Sequence, residues 1–286
     1  MFNYKTLENV DIEIIHQAFI NAFSDYQVQI DLPLWKLKQM LQRRGYIPDK
    51  SMGAFNGEVL VGFILNGFRE WNGKLTAYDT GTGVVPEYRK QGITTKMFHN
   101  VLDQLKCEGA EQYLLEVLQQ NISAYQLYRK QGFEISRTFS CFKLDKSKYQ
   151  SQKTFAVEHL EGFTTDDWEQ LKEFWDIQPA WQNSIESICA LKNAFVYSVV
   201  RTDSKIVGYG IIDKRTGDIP QISVDRNYRR KGIARSIMTD LINNTESDKA
   251  AVLNLDDRSK VSKDFLSTLG FECYVEQYEM ILEINA

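Results

Sequence analysis

The chain has 286 residues, 43% hydrophobic and 25% charged, which is ordinary usage for globular proteins. At about 150 residues per domain, that length corresponds to two domains. A net charge of −4, from 34 basic and 38 acidic residues, argues against non-specific nucleic-acid binding, and no apolar run approaches the ~18 residues of a membrane span. The first residues, Met1-Phe2-Asn3-Tyr4-Lys5, lack the apolar core of a signal peptide, so a cytoplasmic location is expected. Cys107, Cys141, Cys189 and Cys273 form no C-x-x-C pair, and His16, His99 and His159 stand alone, so no metal site is expected.

From Asp11 to Tyr26 the apolar residues Ile12, Ile15, Ala18, Phe19, Ala22 and Phe23 have helical spacing. Leu34 to Arg43 reads as a second helix. Asn56-Gly57 separates Met52–Phe55 from Val59–Leu65, and Asn72-Gly73 separates that run from Leu75–Val85. Asn-Gly suits a type I′ turn, so three antiparallel strands are expected. A basic turn follows, Arg89-Lys90-Gln91-Gly92-Ile93-Thr94, and then a helix from about Thr94 to Cys107. Tyr113–Leu118 has a buried-strand pattern. Asn121–Lys130 reads as a helix stopped by Gly132, and Phe133–Leu144 closes the first half as strands.

The polar stretch Asp145–Lys153 breaks this periodicity and is the best linker candidate. The order then repeats. A strand near Phe155 leads to helices around Asp166–Phe174 and Ser184–Leu191, then to strands Phe195–Arg201, Lys205–Asp213 and Ile219–Val224. A second basic turn, Arg229-Arg230-Lys231-Gly232-Ile233-Ala234, opens another helix. Strand Ala251–Leu255, helix Ser262–Leu269 and a last strand region complete the chain. The two turns lie 140 residues apart and share flanking Val, Tyr, Arg, Gly and Ile. The fold expected is α+β, as two tandem domains over 1–145 and 154–286, each a mostly antiparallel sheet flanked by helices.

A glycine-containing basic turn between strand and helix offers free backbone N–H groups and a helix dipole to an oxyanion. The pattern [QR]-x-x-G alone is weak, since Gln42-Arg43-Arg44-Gly45 and Arg129-Lys130-Gln131-Gly132 also fit it. Neither of those lies between a strand and a following helix.

With Leu114-Leu115-Glu116-Val117, Asn121, Ala124, Tyr125, Leu127-Tyr128 and Gly132-Phe133 downstream, the first half resembles the GCN5-related N-acetyltransferase (GNAT) family. The second half resembles it less fully. The resemblance implies that Arg89, Lys90, Gln91, Gly92, Ile93 and Thr94 cradle the pyrophosphate of acetyl-CoA. Main-chain groups of Gly83, Val84 and Val85 would meet its pantetheine arm, and Asn121 would contact the cofactor. Tyr128 would protonate the departing thiolate, and Glu116 would act as a base through water. Thr94 departs from the family's glycine or alanine. Asp25-Tyr26 falls where the family shapes the acceptor pocket. Tyr78-Asp79 lies on the strand entering the turn, where an aspartate can hold an ammonium group and a tyrosine can flank it. The acceptor expected is an amine: a small molecule, a peptide or a protein N-terminus.

In the second half, Glu116, Asn121, Tyr125 and Tyr128 are replaced by Asn254, Ser259, Lys263 and Leu266. That half is expected to be a scaffold or substrate wall. The competing readings are a non-catalytic acetyl-CoA-binding module and a structural protein that kept the fold.

Overall fold

The computed structural model describes residues 1–25 and 31–284. In the first repeat the elements are β1 (Asn3–Thr6), α1 (Ile12–Ala22), α2 (Leu34–Arg44), β2 (Met52–Asn56), β3 (Val59–Trp71), β4 (Lys74–Val84), α3 (Ile93–Cys107), β5 (Gln112–Leu118), α4 (Ile122–Lys130) and β6 (Glu134–Asp145). The apolar face of α1, with Ile15, Ala18, Phe19 and Ala22 buried, packs with Leu37 and Leu41 of α2 and Phe63 and Leu65 of β3. Helix α1 stops at Ala22, short of the expected Tyr26. The two basic turns that failed the strand-to-helix test belong to helix ends. Gly45 (φ 75°) is the left-handed C-cap of α2, and Gly132 (φ 96°) follows α4.

Strands β1, β2, β3 and β4 are joined in that order and antiparallel, as expected for β2 to β4. The two Asn-Gly pairs play different parts. Trp71 faces Lys74, so Asn72 (φ 55°) and Gly73 (φ 75°) form the type I′ pair. Asn56 faces Val59, so the first loop is Gly57-Glu58, with glycine (φ 60°) at the first central position. Only one of the two pairs therefore sits where the turn rule places it.

Two features of β4 shape its buried end. Leu65 pairs with Gly81 and Asn66 with Asp79, which leaves Thr80 as the extra residue of a β-bulge. Strand β5 joins β4 in parallel through Thr76–Gln112, Ala77–Tyr113 and Tyr78–Leu114. Beyond Tyr78 no further β4–β5 pair is present among the described residues, so the bulge sits where this pairing ends.

The second repeat comprises β7 (Glu158–Leu160), α5 (Thr165–Lys172), α6 (Ile185–Cys189), β8 (Phe195–Thr202), β9 (Lys205–Asp213), β10 (Gln221–Val224), α7 (Ile233–Asn243), β11 (Lys249–Asp256), α8 (Lys260–Thr268) and β12 (Glu272–Glu283). Strands β10, β9, β8 and β7 pair in that order, all antiparallel. The strand expected near Phe155 begins only at Glu158, because Phe155 packs its ring into the core around α7. Helix α5 starts at a capping box, in which Thr164 and Asp167 satisfy each other's backbone N–H groups.

The expected linker is pinned to α7. The Tyr149 hydroxyl and Thr239 Oγ1 are 2.9 Å apart. The Thr154 N–H donates to Ser236 Oγ at 3.0 Å, and Lys153 reaches Asp240 at 3.2 Å.

Contacts group the chain into two compact units, and their membership does not run straight along the sequence. One holds Met1–Val117, Ser123–Ser136 and Glu279–Ala286; the other holds Leu118–Ile122 and Arg137–Tyr278. Residues 137–145, expected with the first domain, pair with β11 and belong to the second unit. The chain's last strand returns to the first unit, where Ile284 N–H donates to Glu111 O and Lys74 meets Glu283.

Candidate active site

The first basic turn has the backbone that the oxyanion reading requires. Strand β4 ends at Val84, a short 3-10 turn spans Pro86–Tyr88, and α3 starts after Gly92. Gly92 takes φ 74° and Lys90 takes φ 61°. The N–H groups of Lys90, Gln91, Gly92, Ile93 and Thr94 have no acceptor among the described residues. Lys90, Gln91 and Gly92 are exposed, while the Ile93 side chain is buried and anchors the helix start. The Thr94 hydroxyl also lacks a protein partner among the described residues.

Arg89 is placed differently from the sequence expectation. Its Nε donates to Val84 O at 3.0 Å and its Nη2 to Ala22 O at 2.7 Å. Both Nη atoms meet the Asp25 carboxylate, at 2.7 and 2.8 Å. The guanidinium thus closes the C-terminal end of α1, whose last carbonyls lack helical partners. It is committed to the frame of the turn. Asp25 is committed with it through this ion pair. The hydrogen bond from Arg89 holds its carboxyl below the usual range. Tyr26 lies outside the described residues. Gly83 is needed for packing, since a Cβ there would come within 2.7 Å of Phe63 Cζ and 3.0 Å of Ala22 Cβ. Val84 is buried opposite Gly62, and Val85 N–H donates to Val61 O.

Beyond the turn, buried side chains from four elements converge. The Tyr78 hydroxyl of β4 donates to the Glu116 carboxylate of β5. Tyr78 is fully buried, and burial followed by the Glu116 charge pushes its phenol well above the ordinary value. It is therefore a partner of Glu116, not an open aromatic wall for an ammonium group. Asp79 is also buried and closes the bulge. Its Oδ1 accepts Gly81 N–H at 2.8 Å, and its Oδ2 accepts the Thr82 hydroxyl at 2.6 Å. Burial pushes its carboxyl up to about 6, against the hydrogen bonds from Thr82, Gly81 and Tyr128. Its position is too enclosed for the ammonium-holding part that sequence suggested.

Tyr128 lies on α4 with its hydroxyl donating to Asp79 Oδ2 at 3.5 Å. Its ring meets the Phe133 ring edge-on, with centroids 5.7 Å apart, and Phe133 belongs to the buried Phe98–Tyr113–Phe133 aromatic cluster. The structure therefore brings Tyr78 to Glu116 and Tyr128 to Asp79. Asn121, half-buried, stands just before α4 with its N–H held by Leu118 O at 2.9 Å.

Arg44 is a contributor that sequence reading missed. It donates to Thr80 O at 2.9 Å and sets a cation near both Tyr78 and Asp79. Its only sequence signal was a false one, the Arg-Gly that ends α2. Asn66 was also missed; its Oδ1 accepts the Tyr113 hydroxyl at 2.6 Å.

The second turn repeats the frame closely. Gly232 takes φ 93° and Arg230 φ 64°. Arg229 Nε donates to Val224 O at 3.0 Å, its Nη2 to Phe174 O at 2.9 Å, and its Nη1 to Asp176 at 2.7 Å. A cavity of about 550 Å³ opens beside it, lined by Arg230, Arg235, Trp175, Asn254 and Phe265 among others. Asn254, in the place of Glu116, is turned inward at φ 53° and accepts from Gln277 at 2.9 Å. Leu266, in the place of Tyr128, is buried.

The acetyltransferase (GNAT) family profile matches residues 13–133, and a second GNAT-domain profile matches residues 160–280. The chain belongs to the GNAT acetyltransferase family, with two such domains in tandem. It is 32% identical over 87 residues to N-alpha-acetyltransferase 30 of Schizosaccharomyces pombe. That match spans 30% of this chain and 58% of that relative's length. Among solved structures, a tandem GNAT protein from the clavulanic acid biosynthesis pathway is similar with a TM-score of 0.76 at 12% identity, covering 100% of this chain and 99% of its own. A GCN5-related N-acetyltransferase from Sphaerobacter thermophilus is similar with a TM-score of 0.75 at 14% identity, covering 100% and 96%. These likenesses establish the GNAT fold over the whole chain.

Proposed function

We propose that this GNAT protein moves an acetyl group from acetyl-CoA to a primary amine, and that the first repeat carries the reaction. The observation that supports this most directly is the arrangement in that repeat: a turn whose N–H groups have no acceptor among the described residues, a buried tyrosine hydroxyl on α4, and a tyrosine–glutamate pair on β4 and β5. The residues fit the group. The N–H groups of Lys90 to Thr94 and the exposed Lys90 suit a pyrophosphate, and an added Cβ at Gly92 would meet nothing within 4 Å. When bound, acetyl-CoA supplies an activated acetyl group and a sulfur leaving group.

The residues of the chain then have distinct tasks. Acetyl transfer makes a carbon–nitrogen bond and breaks a carbon–sulfur bond, so one proton leaves the amine and one reaches sulfur. Glu116, oriented by Tyr78, is the base for the first proton, directly or through a water. Tyr128 is the acid for the second. No covalent nucleophile is required, because a thiolate is a good leaving group and takes up its proton as the carbon–sulfur bond breaks.

An α-amino group of a peptide or protein is the acceptor favoured by the relative named as an N-alpha-acetyltransferase. Small-molecule amines remain in the same class.

The test is an assay of thiol release from acetyl-CoA with a panel of amines and N-terminal peptides, on the parent and Tyr128→Phe. We expect turnover with at least one amine, and a fall in kcat of about 10²-fold or more in the variant. Acetyl-CoA binding by calorimetry with no turnover on any amine would leave the non-catalytic reading in its place.

A further inference from the structure

We propose that Asp79 is a positioning residue for acetyl transfer, whose buried carboxylate holds the Tyr128 hydroxyl and keeps it protonated under the alkaline conditions that free the acceptor amine. The proposal rests on the reading of Tyr128 as the acid. It starts from a conflict in the chemistry. The amine must be neutral to attack, which favours high pH, and the phenol must keep its proton, which favours low pH. With α-amino groups at about 7.7–8.0, alkyl ammonium groups at about 10.4 and phenols at about 10, the window is narrow. A carboxylate beside a phenol oxygen penalises the phenolate and widens that window from above.

The geometry supports this role and sets it apart from bulge-building alone. Oδ1 of Asp79 is spent on Gly81 N–H, and Oδ2 serves both the Thr82 hydroxyl and the Tyr128 hydroxyl. The Tyr128 contact, at 3.5 Å, is the longest of the three.

Groups on α2, β4, β5 and α4 bear on the charge of Asp79. Arg44 of α2 favours the carboxylate, while Tyr78 of β4, Tyr113 of β5 and Tyr128 of α4 surround it with phenols. Burial raises the carboxyl to about 6, so it is ionised throughout the alkaline range where the amine is free. The second repeat has neither half of the device. Matching the parallel contacts Ala77–Tyr113 and Asp218–Ala251 puts Ile219-Pro220 in the places of Tyr78-Asp79. Strand β10 pairs with β9 without a bulge, and Leu266 replaces Tyr128.

The test uses the full chain. Asp79→Asn keeps an acceptor oxygen for Gly81 and removes the charge. We expect the alkaline limb of its kcat profile to fall about one pH unit lower than in the parent. A purely structural Asp79 would lower kcat by the same factor at every pH, and that result would overturn the proposal.

The second measurement does not depend on that variant folding. Carbon-13 NMR of aspartate carboxyls follows the Asp79 titration in the parent and in Tyr128→Phe. Loss of the Tyr128 donor should move the midpoint upward, since coupling between two groups is reciprocal. An unmoved midpoint would refute the contact. If Tyr128→Phe keeps full activity while the midpoint moves, the acid assignment fails and the Asp79–Tyr128 coupling stands.

Discussion

The two basic turns are nearly the same object, and the chambers beside them are not. Each turn has a left-handed glycine, a positive-φ basic residue two positions earlier, and an arginine that ties the preceding valine carbonyl to an aspartate and a carbonyl on an upstream segment. Beside the turn, one copy places half-buried Glu116 and buried Asp79 and Tyr128, while the other places Asn254, Pro220 and Leu266. The frame of such a turn is set by backbone geometry and a few internal hydrogen bonds, so it survives as long as the domain folds. An acid or a base depends on single side chains, and their loss leaves the frame intact.

The largest test of this contrast exchanges the two chambers' residues. Tyr128→Leu gives the first copy the residue of the second, and the loss in kcat should match that of Tyr128→Phe. Leu266→Tyr should leave the rate within about twofold, because Asn254 and Pro220 supply neither base nor carboxylate. Recovery of activity by Leu266→Tyr in a Tyr128→Leu background would break the contrast. Thiol release measures all three.

A smaller effect is expected where helix meets sheet behind each turn. A Cβ at Gly208 would lie 2.7 Å from Ile233 Cγ2 and 3.1 Å from Ile237 Cδ1, whereas at Gly62 the nearest atom, Ile93 Cγ2, is 3.2 Å away. Gly208→Ala should therefore cost about 1–3 kcal/mol in urea unfolding, and Gly62→Ala less. The opposite order would show that the second frame is the more pliant.

The smallest effect concerns the two aspartates of the frame. Hydrogen bonds from Arg89 and Arg229 hold the Asp25 and Asp176 carboxyls below the usual range. A carboxyl lowered in the folded state adds stability above its unfolded value and loses it on acidification. Asp25→Asn and Asp176→Asn should each lower Tm slightly at pH 7, and the differences should shrink as pH falls below the ordinary carboxylate range. Thermal melts across pH decide whether the two frames respond alike.

Much of the site was legible in the sequence because it is local. Gly92 and Gly232 announce a left-handed position between strand and helix, and Tyr128 follows from its spacing on α4. Other parts were invisible for a physical reason. Arg89 looks like a phosphate ligand in a basic turn, but its guanidinium turns back to Asp25 across 64 residues. Tyr78 and Asp79 look like strand residues open to an ammonium group, but the fold buries both beside the bulge at Thr80. The division into units was also hidden, since β6 and β12 look alike in pattern and only their partners decide where each belongs.

The sequence by itself determined the duplication, the GNAT resemblance, the two turns and the replacement of Tyr128 by Leu266 in the second half. These are matters of residue identity, spacing and backbone preference within a few tens of residues. Only the tertiary structure decided that Arg89 and Asp25 belong to the frame, that Tyr78 serves Glu116, and that Asp79 faces Tyr128. Those pairings join strands and helices 38 to 64 residues apart, and burial selects them because a polar group removed from water must find its partner wherever the fold has placed one.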